Sequence, residues 1–167
     1  MKKLSLIVAT LILLTLLAGC TAKKEEVPST WTSYESSRFA FTFSYPYNYT
    51  LDNSFENTYE DQGFIHLYSN LVDKSSLIEF SAYKNPNELS ILEWAKSDTA
   101  HSNFSDNYNE ITVNGKSAIS YSWAGMVGGD TILFKNKDFI ISANVLYTEP
   151  NEKIRDDFSE IIKTIKF

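Results

Sequence analysis

The stretch Ile111-Thr-Val-Asn-Gly-Lys-Ser-Ala-Ile-Ser-Tyr-Ser-Trp123 decides the fold of this chain. Its centre, Asn114-Gly115, predicts a type I′ turn, because both residues tolerate the positive φ angles that this two-residue connection requires. The residues on either side include branched and aromatic side chains, which favour strands. The stretch is therefore predicted to form a β-hairpin.

Two more connections extend this hairpin into a sheet. Gly125 and Gly128-Gly129 predict a turn before a strand at 131–135, and Asn136-Lys137 predicts another before a strand at 138–147. Strands that follow one another through short turns form an antiparallel meander.

Three earlier segments also predict strands. From Phe39 to Tyr45 an aromatic residue occupies every second position, the period of a strand with one buried face, and Pro46 ends the pattern. The segments 62–69 and 77–84 are rich in aromatic and branched residues and are bounded by Asn, Ser, Asp or Pro.

Two segments predict helices that cover the sheet. Ser90 and Glu93 have the spacing of a capping box, in which each side chain satisfies the other's backbone amide, so a helix is expected over 90–100. Pro150 suits the first turn of a second helix, whose apolar positions recur every three or four residues: Ile154, Phe158, Ile161 or Ile162, and Ile165. Helices inserted among hairpin-connected strands predict an α+β fold with an antiparallel sheet.

Four stretches resemble, in this order, sequences of the PsbP-like family: Phe39-Ala-Phe-Thr-Phe-Ser-Tyr-Pro46, Leu89-Ser-Ile-Leu-Glu-Trp-Ala95, Val113-Asn-Gly-Lys-Ser-Ala118 and Phe158-Ser-Glu-Ile-Ile-Lys-Thr-Ile-Lys-Phe167. The family is named for an extrinsic subunit of photosystem II and includes many bacterial lipoproteins. The resemblance covers most of residues 34–167 and implies an α/β/α sandwich, which the family shares with a nuclear-import factor. No metal or partner site of the family maps onto this chain residue by residue, so the resemblance implies a fold and not a function.

The first 20 residues have the layout of a secretory signal. Lys2 and Lys3 precede an apolar run over residues 4–17, which is shorter than the roughly 20 residues that a transmembrane helix needs. The end of the run, Leu17-Ala-Gly-Cys20, resembles the bacterial lipobox. This resemblance implies removal of residues 1–19, thioether lipidation of Cys20 and acylation of the new N-terminus, for example with palmitate. The alternative is an ordinary signal peptide with an incidental cysteine.

The expected domain organisation follows from this leader. Residues 20–37, which are polar and of mixed charge, are expected to form a flexible tether after the lipidated cysteine, and residues 38–167 a single globular domain. Trp31 and Tyr34 leave an alternative open, in which they dock on the domain as an edge segment and move its boundary to about residue 31.

Composition excludes several classes of function. Cys20 is the single cysteine of the chain, so the folded part offers no cysteine zinc site, thiol nucleophile or redox pair. The net charge is −6, and removal of Lys2 and Lys3 with the leader takes it to −8. Such a charge disfavours nucleic acid and bare anionic lipid as partners.

Few residues are candidates for chemistry. His66 lies in a predicted strand and His101 just after a predicted helix, and neither has a histidine or cysteine at ligand spacing. For His101, favourable charge at a helix C-terminus is the preferred interpretation, and for His66 a local hydrogen bond in the sheet is at least as good as catalysis. Glu56, Glu60 and Asp61 could supply oxygen ligands to calcium, but their spacing departs from the calcium-loop pattern and favours a solvated loop. The sequence therefore predicts no catalytic residue, metal site or cofactor.

Tyr45, Tyr47 and Tyr49 alternate through residues 44–50. One interpretation of rings at this spacing is an exposed stacking face for a glycan or a protein partner. The preferred interpretation is that these rings are core and interface aromatics at the end of a strand.

Two hypotheses for the function remain. The first is a non-catalytic binding module, extracytoplasmic and lipid-anchored through Cys20 to the bacterial cell membrane, at the cell surface or in the periplasm, with an envelope protein or a glycan as its partner. The second is a hydrolase or metal-dependent enzyme whose site brings His66 together with dispersed carboxylates. A cleft that holds His66 and two carboxylates would favour the enzyme.

Overall fold

A computed structural model of the chain describes residues 28–70, 76–97, 107–149 and 153–167. In chain order, these residues form β1 (Trp31–Ser36), β2 (Phe41–Pro46), β3 (Tyr49–Asp52), β4 (Gln62–Ser69), β5 (Leu77–Lys84), α1 (Ile91–Ser97), β6 (Asn109–Val113), β7 (Lys116–Ala124), β8 (Gly128–Asn136), β9 (Phe139–Tyr147) and α2 (Lys153–Lys163). The predicted leader, Cys20, Pro150 and His101 lie outside the described residues. No helix in the described part of the chain is long and apolar enough to cross a membrane.

Seven strands form one antiparallel sheet in the order β3-β4-β5-β9-β8-β7-β6, and β1 and β2 form a separate antiparallel pair. The predicted hairpin is confirmed: Val113 pairs with Lys116, and the φ angles of Asn114 and Gly115 are 50° and 79°. The meander from β6 to β9 is also confirmed. The mostly antiparallel sheet with two helices in the described residues confirms the predicted α+β class.

Two of the predicted turns were misplaced. Gly128 and Gly129 belong to β8, where they pair with Tyr147 and Leu146 of β9. The rings of Tyr147 and Trp123 lie 2.5 and 2.2 Å from where a β-carbon on Gly128 and on Gly129 would stand. The connection is therefore residues 125–127, and the glycines serve close packing. The next turn is one residue later than expected: Asn136 pairs with Phe139, so residues 137–138 form the turn.

The two faces of the large sheet carry different helices. On one face, α2 and the β1–β2 pair enclose the larger core, in which Phe43 stacks on Phe80 with 4.2 Å between the ring centres. The predicted apolar positions of α2 are buried there, Ile161 and Ile162 both included, and so is Ile165, which follows the end of the helix. On the other face, α1 packs through Ala95 on Ile119, Tyr121, Leu133 and Ile140. The capping box of α1 is confirmed, since Glu93 accepts from the Ser90 amide at 2.9 Å and the Glu93 amide donates to Ser90 Oγ at 3.2 Å.

The domain begins earlier than residue 38. Residues 31–36 were expected in the tether, but they form β1, which pairs with β2 along its whole length. Trp31 and Tyr34 pack against the larger core, so burial of these rings offsets the entropy that a free segment would retain. The alternative with a boundary at about residue 31 agrees with the structure.

Candidate functional site

The three tyrosines predicted as a stacking face do not share one surface. β2 ends at Pro46 and β3 begins at Tyr49, so a change of sheet separates the rings. Tyr47 is 77% exposed, Tyr45 is half-buried and packs against the core, and Tyr49 is only 5% exposed. The interpretation as one exposed face is therefore wrong for Tyr49, because the chain turns between the two sheets instead of continuing as one strand. The preferred interpretation as core aromatics is confirmed for Tyr49.

Tyr49 is a core residue with a buried polar partner. Its hydroxyl donates to Asp157 Oδ2 at 2.9 Å, and Lys153 forms an ion pair with the other carboxylate oxygen from one turn earlier in α2. Burial, followed by the charge of Asp157, raises the pKa of Tyr49. The contact ties the edge strand β3 to the C-terminal helix.

His66 lies on the sheet face opposite α2, between a carboxylate and a phenol. Its Nε2 is 3.0 Å from Glu79 Oε2 on the neighbouring strand β5, and its Nδ1 is 3.3 Å from the hydroxyl of Tyr68. The side chains of His66 and Glu79 are 17% and 25% exposed. A local hydrogen bond in the sheet, one of the two interpretations of His66, is thus present.

A row of hydrogen bonds continues from Glu79 across the sheet. Glu79 Oε1 accepts from Ser81 at 2.5 Å and from Asn144 Nδ2 at 3.4 Å, and Asn144 Oδ1 accepts from Thr131 at 2.9 Å. Thr131 Oγ1 in turn accepts from Trp123 Nε1 at 3.2 Å. The row joins five strands that are adjacent in the sheet, in the order β4, β5, β9, β8 and β7. Its central residues are buried. The sequence did not reveal it, although the polar Ser142 and Asn144 inside the apolar strand β9 were a signal.

The described residues contain no group of three or more His, Cys, Asp or Glu side chains that could hold a metal ion. Among the described residues, Glu79 is the one carboxylate hydrogen-bonded to His66, and Asp52, opposite His66 in the register of β3 and β4, is a second carboxylate nearby. The enzyme hypothesis also needs a cleft at His66, and His66 lines neither of the two cavities described below.

The acidic segment of residues 53–61 is not a simple solvated loop. Glu60 and Asp61 are exposed, but Glu56 is only 5% exposed and accepts hydrogen bonds from the hydroxyls of Tyr34 and Ser36 in β1. Arg38 donates to the backbone oxygens of Glu56, Tyr59 and Glu60. The expectation of a solvated loop was wrong for Glu56, because the docking of β1 brings two donors to its carboxylate.

The Tyr34–Glu56 contact predicts a loss of stability at alkaline pH. Burial and the hydrogen bond to Glu56 raise the pKa of Tyr34 from 10.0 to about 12. Between these values the unfolded chain releases the phenol proton while the folded chain keeps it, so this contribution to stability is complete below pH 10 and is lost as the pH rises to 12.

Denaturant unfolding of the protein and of Tyr34→Phe at several pH values would measure this effect. The free energy of unfolding of the phenylalanine variant should fall less steeply above pH 10. If the free energy of unfolding fell equally steeply for the two proteins, a raised pKa of Tyr34 in the folded protein would be contradicted.

A groove lies at the other end of the sheet, between α2 and strands β6 to β8. It has a volume of about 970 Å³. At one end Arg155 Nε donates to Asp130 Oδ2 at 2.8 Å, and the guanidinium lies 4.5 Å from the ring centre of Tyr147. The lining of the groove is mostly polar and includes a fixed ion pair, and its apolar part includes Ile111, Ile132, Phe158 and Ile162.

A second cavity of about 960 Å³ lies on the opposite face of the sheet, between α1 and strands β6 and β7. Ile111 and Thr112 line both cavities. Strand β6 is the last strand of the sheet, and no described strand pairs with its outer edge. β6 is thus an edge strand with an open cavity on each side. No pattern in the sequence indicates this site, because only the sheet order shows that β6 is at the edge.

No protein-family model matches the chain, and no curated protein does. Among solved structures, it is similar to cyanobacterial PsbP (CyanoP) from Synechocystis, with a TM-score of 0.60 and 10% identity over 90% of this chain and 98% of that chain. It is also similar to the Ran-binding protein Mog1p of Saccharomyces cerevisiae, with a TM-score of 0.52 and 11% identity over 81% and 94% of the two chains. A protein from Bacteroides thetaiotaomicron gives a TM-score of 0.56 and 12% identity over 82% of this chain and 48% of that chain. These likenesses confirm a PsbP-like α+β fold and show nothing of function.

Proposed function

We propose that this chain is a non-catalytic binding module of the bacterial cell envelope, anchored to the membrane by a lipid on Cys20, and that its fold is the α/β/α sandwich of the PsbP-like family. Its partner is an extended segment of an envelope protein, which adds to the sheet at strand β6. The observation that carries this proposal is the pair of cavities on the two sides of that edge strand.

Strand addition suits the geometry of β6. An extended peptide gains main-chain hydrogen bonds at an open sheet edge, and its alternate side chains point to opposite faces of the sheet. At β6 each of these faces has its own cavity, so both sets of side chains would find space. The ion pair of Arg155 and Asp130 at the end of one cavity would favour peptide segments that place a polar side chain there.

The hairpin register indicates which backbone groups of β6 are available. Val113 and Lys116 flank a two-residue turn and pair with each other, so their amide and carbonyl groups face inward. Thr112 is the next residue, and alternation along an antiparallel ladder directs its N–H away from β7. Proline at position 112 would remove a donor at the outer edge and leave the hairpin bonds in place.

Mog1p, one of the structural neighbours, is described as a Ran-binding protein. Protein binding by that neighbour is compatible with the same kind of function here. The enzyme hypothesis is the weaker proposal, because His66 lies in β4, which is three to five strands away from the strands β8, β7 and β6 that line the groove.

We expect Thr112→Pro to abolish partner binding, whereas Thr112→Ala should retain it. A photo-reactive residue at Asn109, introduced into the full-length chain in its own membrane, should give one discrete crosslinked protein. Thr32, an exposed strand position in β1, gives the matched control site for the photo-reactive residue. An unchanged crosslink in Thr112→Pro would contradict strand addition.

The lipid anchor needs a separate measurement. Cys20→Ser should move the protein from the membrane fraction to the soluble fraction, because the lipid has lost its attachment atom. Retention in the membrane fraction of a serine variant from which residues 1–19 have been removed would contradict the anchor without bearing on the β6 site.

A further inference from the structure

A second surface, independent of β6, has the composition of a ligand site. Phe64, His66 and Tyr68 project from β4 on the face opposite α2, and Phe55 and Tyr59 reach the same region from the preceding loop. Successive ring centres are 5.8 to 6.5 Å apart along this group. We call these five residues the aromatic face.

The aromatic face presents its rings to solvent. Phe55 and Tyr59 are 44% and 48% exposed, and the other three are half-buried. Singly exposed aromatic residues are common, but a contiguous group of them indicates a binding surface. The sequence placed an aromatic stacking face at residues 45–49, whereas the contiguous rings lie on β4 and its loop.

The loop that carries Phe55 and Tyr59 is held in place by several hydrogen bonds. Arg38 binds three of its backbone oxygens, and the buried Glu56 carboxylate binds Tyr34 and Ser36. The loop also lies so close to β4 that a β-carbon on Gly63 would stand 2.4 Å from the backbone oxygen of Glu56. Because the loop is already ordered, a ligand would lose little affinity to ordering these rings.

Polar groups interrupt the rings without giving the face a positive charge. His66 and Glu79 are paired with each other, and the hydroxyl of Tyr68 contacts His66. The carboxylate of Asp52, opposite His66 in the register of β3 and β4, adds negative charge. With the chain at −6 overall, this face disfavours anionic ligands such as acidic polysaccharides or phospholipid headgroups.

The size of the face favours a small ligand over a protein. Aromatic side chains offer about 150–250 Å² each, so five rings that are at most about half exposed present at most roughly 600 Å². A standard protein interface buries about 800 Å² on each partner. Along β4 the three rings extend over about 13 Å, which suits a ligand of a few rings.

We propose that the aromatic face binds a neutral glycan. Sugar rings carry apolar C–H faces that stack on aromatic rings and hydroxyls that bond to groups such as His66, Glu79 and Tyr68. This combination matches the alternation of ring and hydrogen-bonding atoms on the face. A neutral oligosaccharide needs no positive charge, and the cations beside the face in the described residues are already engaged: His66 with Glu79, and Arg38 with backbone oxygens of the loop.

Titration calorimetry of the full-length protein in detergent, with four neutral tetrasaccharides of glucose, N-acetylglucosamine, mannose and galactose, tests the proposal. At least one should bind with a Kd below about 1 mM, and Tyr59→Ala and Phe55→Ala should each weaken that binding about tenfold. A sulfated tetrasaccharide should not bind. Tyr47→Ala, which removes an exposed tyrosine outside the aromatic face, is the matched control and should bind normally.

The variants Tyr59→Ala and Phe55→Ala also distinguish a glycan site from a protein contact. Near-ultraviolet circular dichroism should show that Tyr59→Ala and Phe55→Ala are folded, since both side chains are exposed. No binding of any of the four neutral sugars below about 1 mM would overturn the proposal. So would self-association of the protein that Tyr59→Ala abolishes, because the face would then be a protein contact. Neither result depends on the outcome at β6.

Discussion

Replacing Tyr49 with alanine is expected to lower the free energy of unfolding by about 3 to 5 kcal/mol, as for other large aromatic side chains in cores. Tyr49 is 5% exposed, and its hydroxyl binds Asp157 in α2. The substitution would leave a cavity between β3 and the helix and remove one partner of a buried carboxylate.

Tyr47→Ala is the control for this prediction, since it makes the same change two residues earlier at a site that is 77% exposed. Its effect should be within about 0.5 kcal/mol. Tyr49→Phe should cost about 1 to 3 kcal/mol, because it removes the hydrogen bond and keeps the ring. Chemical denaturation of the three variants measures all of these values. Similar small losses for Tyr47→Ala and Tyr49→Ala would show that Tyr49 is not in the core.

The second large effect is expected from Glu56→Ala, at about 2 to 4 kcal/mol. The substitution would leave the hydroxyls of Tyr34 and Ser36 without their shared acceptor, and an unsatisfied buried donor costs about 1 to 3 kcal/mol. The contact between β1 and the 53–61 loop would weaken. Glu56→Gln keeps an oxygen acceptor at the same position and should recover part of the loss.

Glu60→Ala makes the same substitution in the same loop at an exposed side chain. Arg38 binds the backbone oxygen of Glu60, which alanine retains, so the stability should change by less than about 0.5 kcal/mol. Thermal and denaturant unfolding of the three variants would measure this difference. If Glu56→Ala were as harmless as Glu60→Ala, the burial of Glu56 would be contradicted.

The parts of the fold that could be predicted from the sequence are those set by local patterns. The structure confirmed β4 and β5 at the predicted residues, the capping box of α1, the Asn114-Gly115 turn and the apolar face of α2. Each depends on a period or a spacing of a few residues, which acts within one element. Such local patterns favour the same helix, strand or turn in almost any tertiary context.

The errors have a common origin in contacts between distant residues. Whether Tyr49 was exposed depended on where β3 lay relative to Asp157, which is 108 positions away. The burial of Glu56 depended on β1, and the polar row from His66 to Trp123 depended on the order in which the strands pair. No spacing within one segment encodes these neighbours.

The sequence alone determined the α+β class, most of the helices and strands, the hairpin that begins the meander and the absence of cysteine from the domain. These follow from local backbone preferences and from composition. Only the tertiary structure decided that β6 is an edge strand between two cavities, that Glu56 holds β1, and that five aromatic residues from β4 and its loop share one surface. Strand order and loop docking are set by the summed burial of side chains far apart in the chain, so they become visible only when the whole core is assembled.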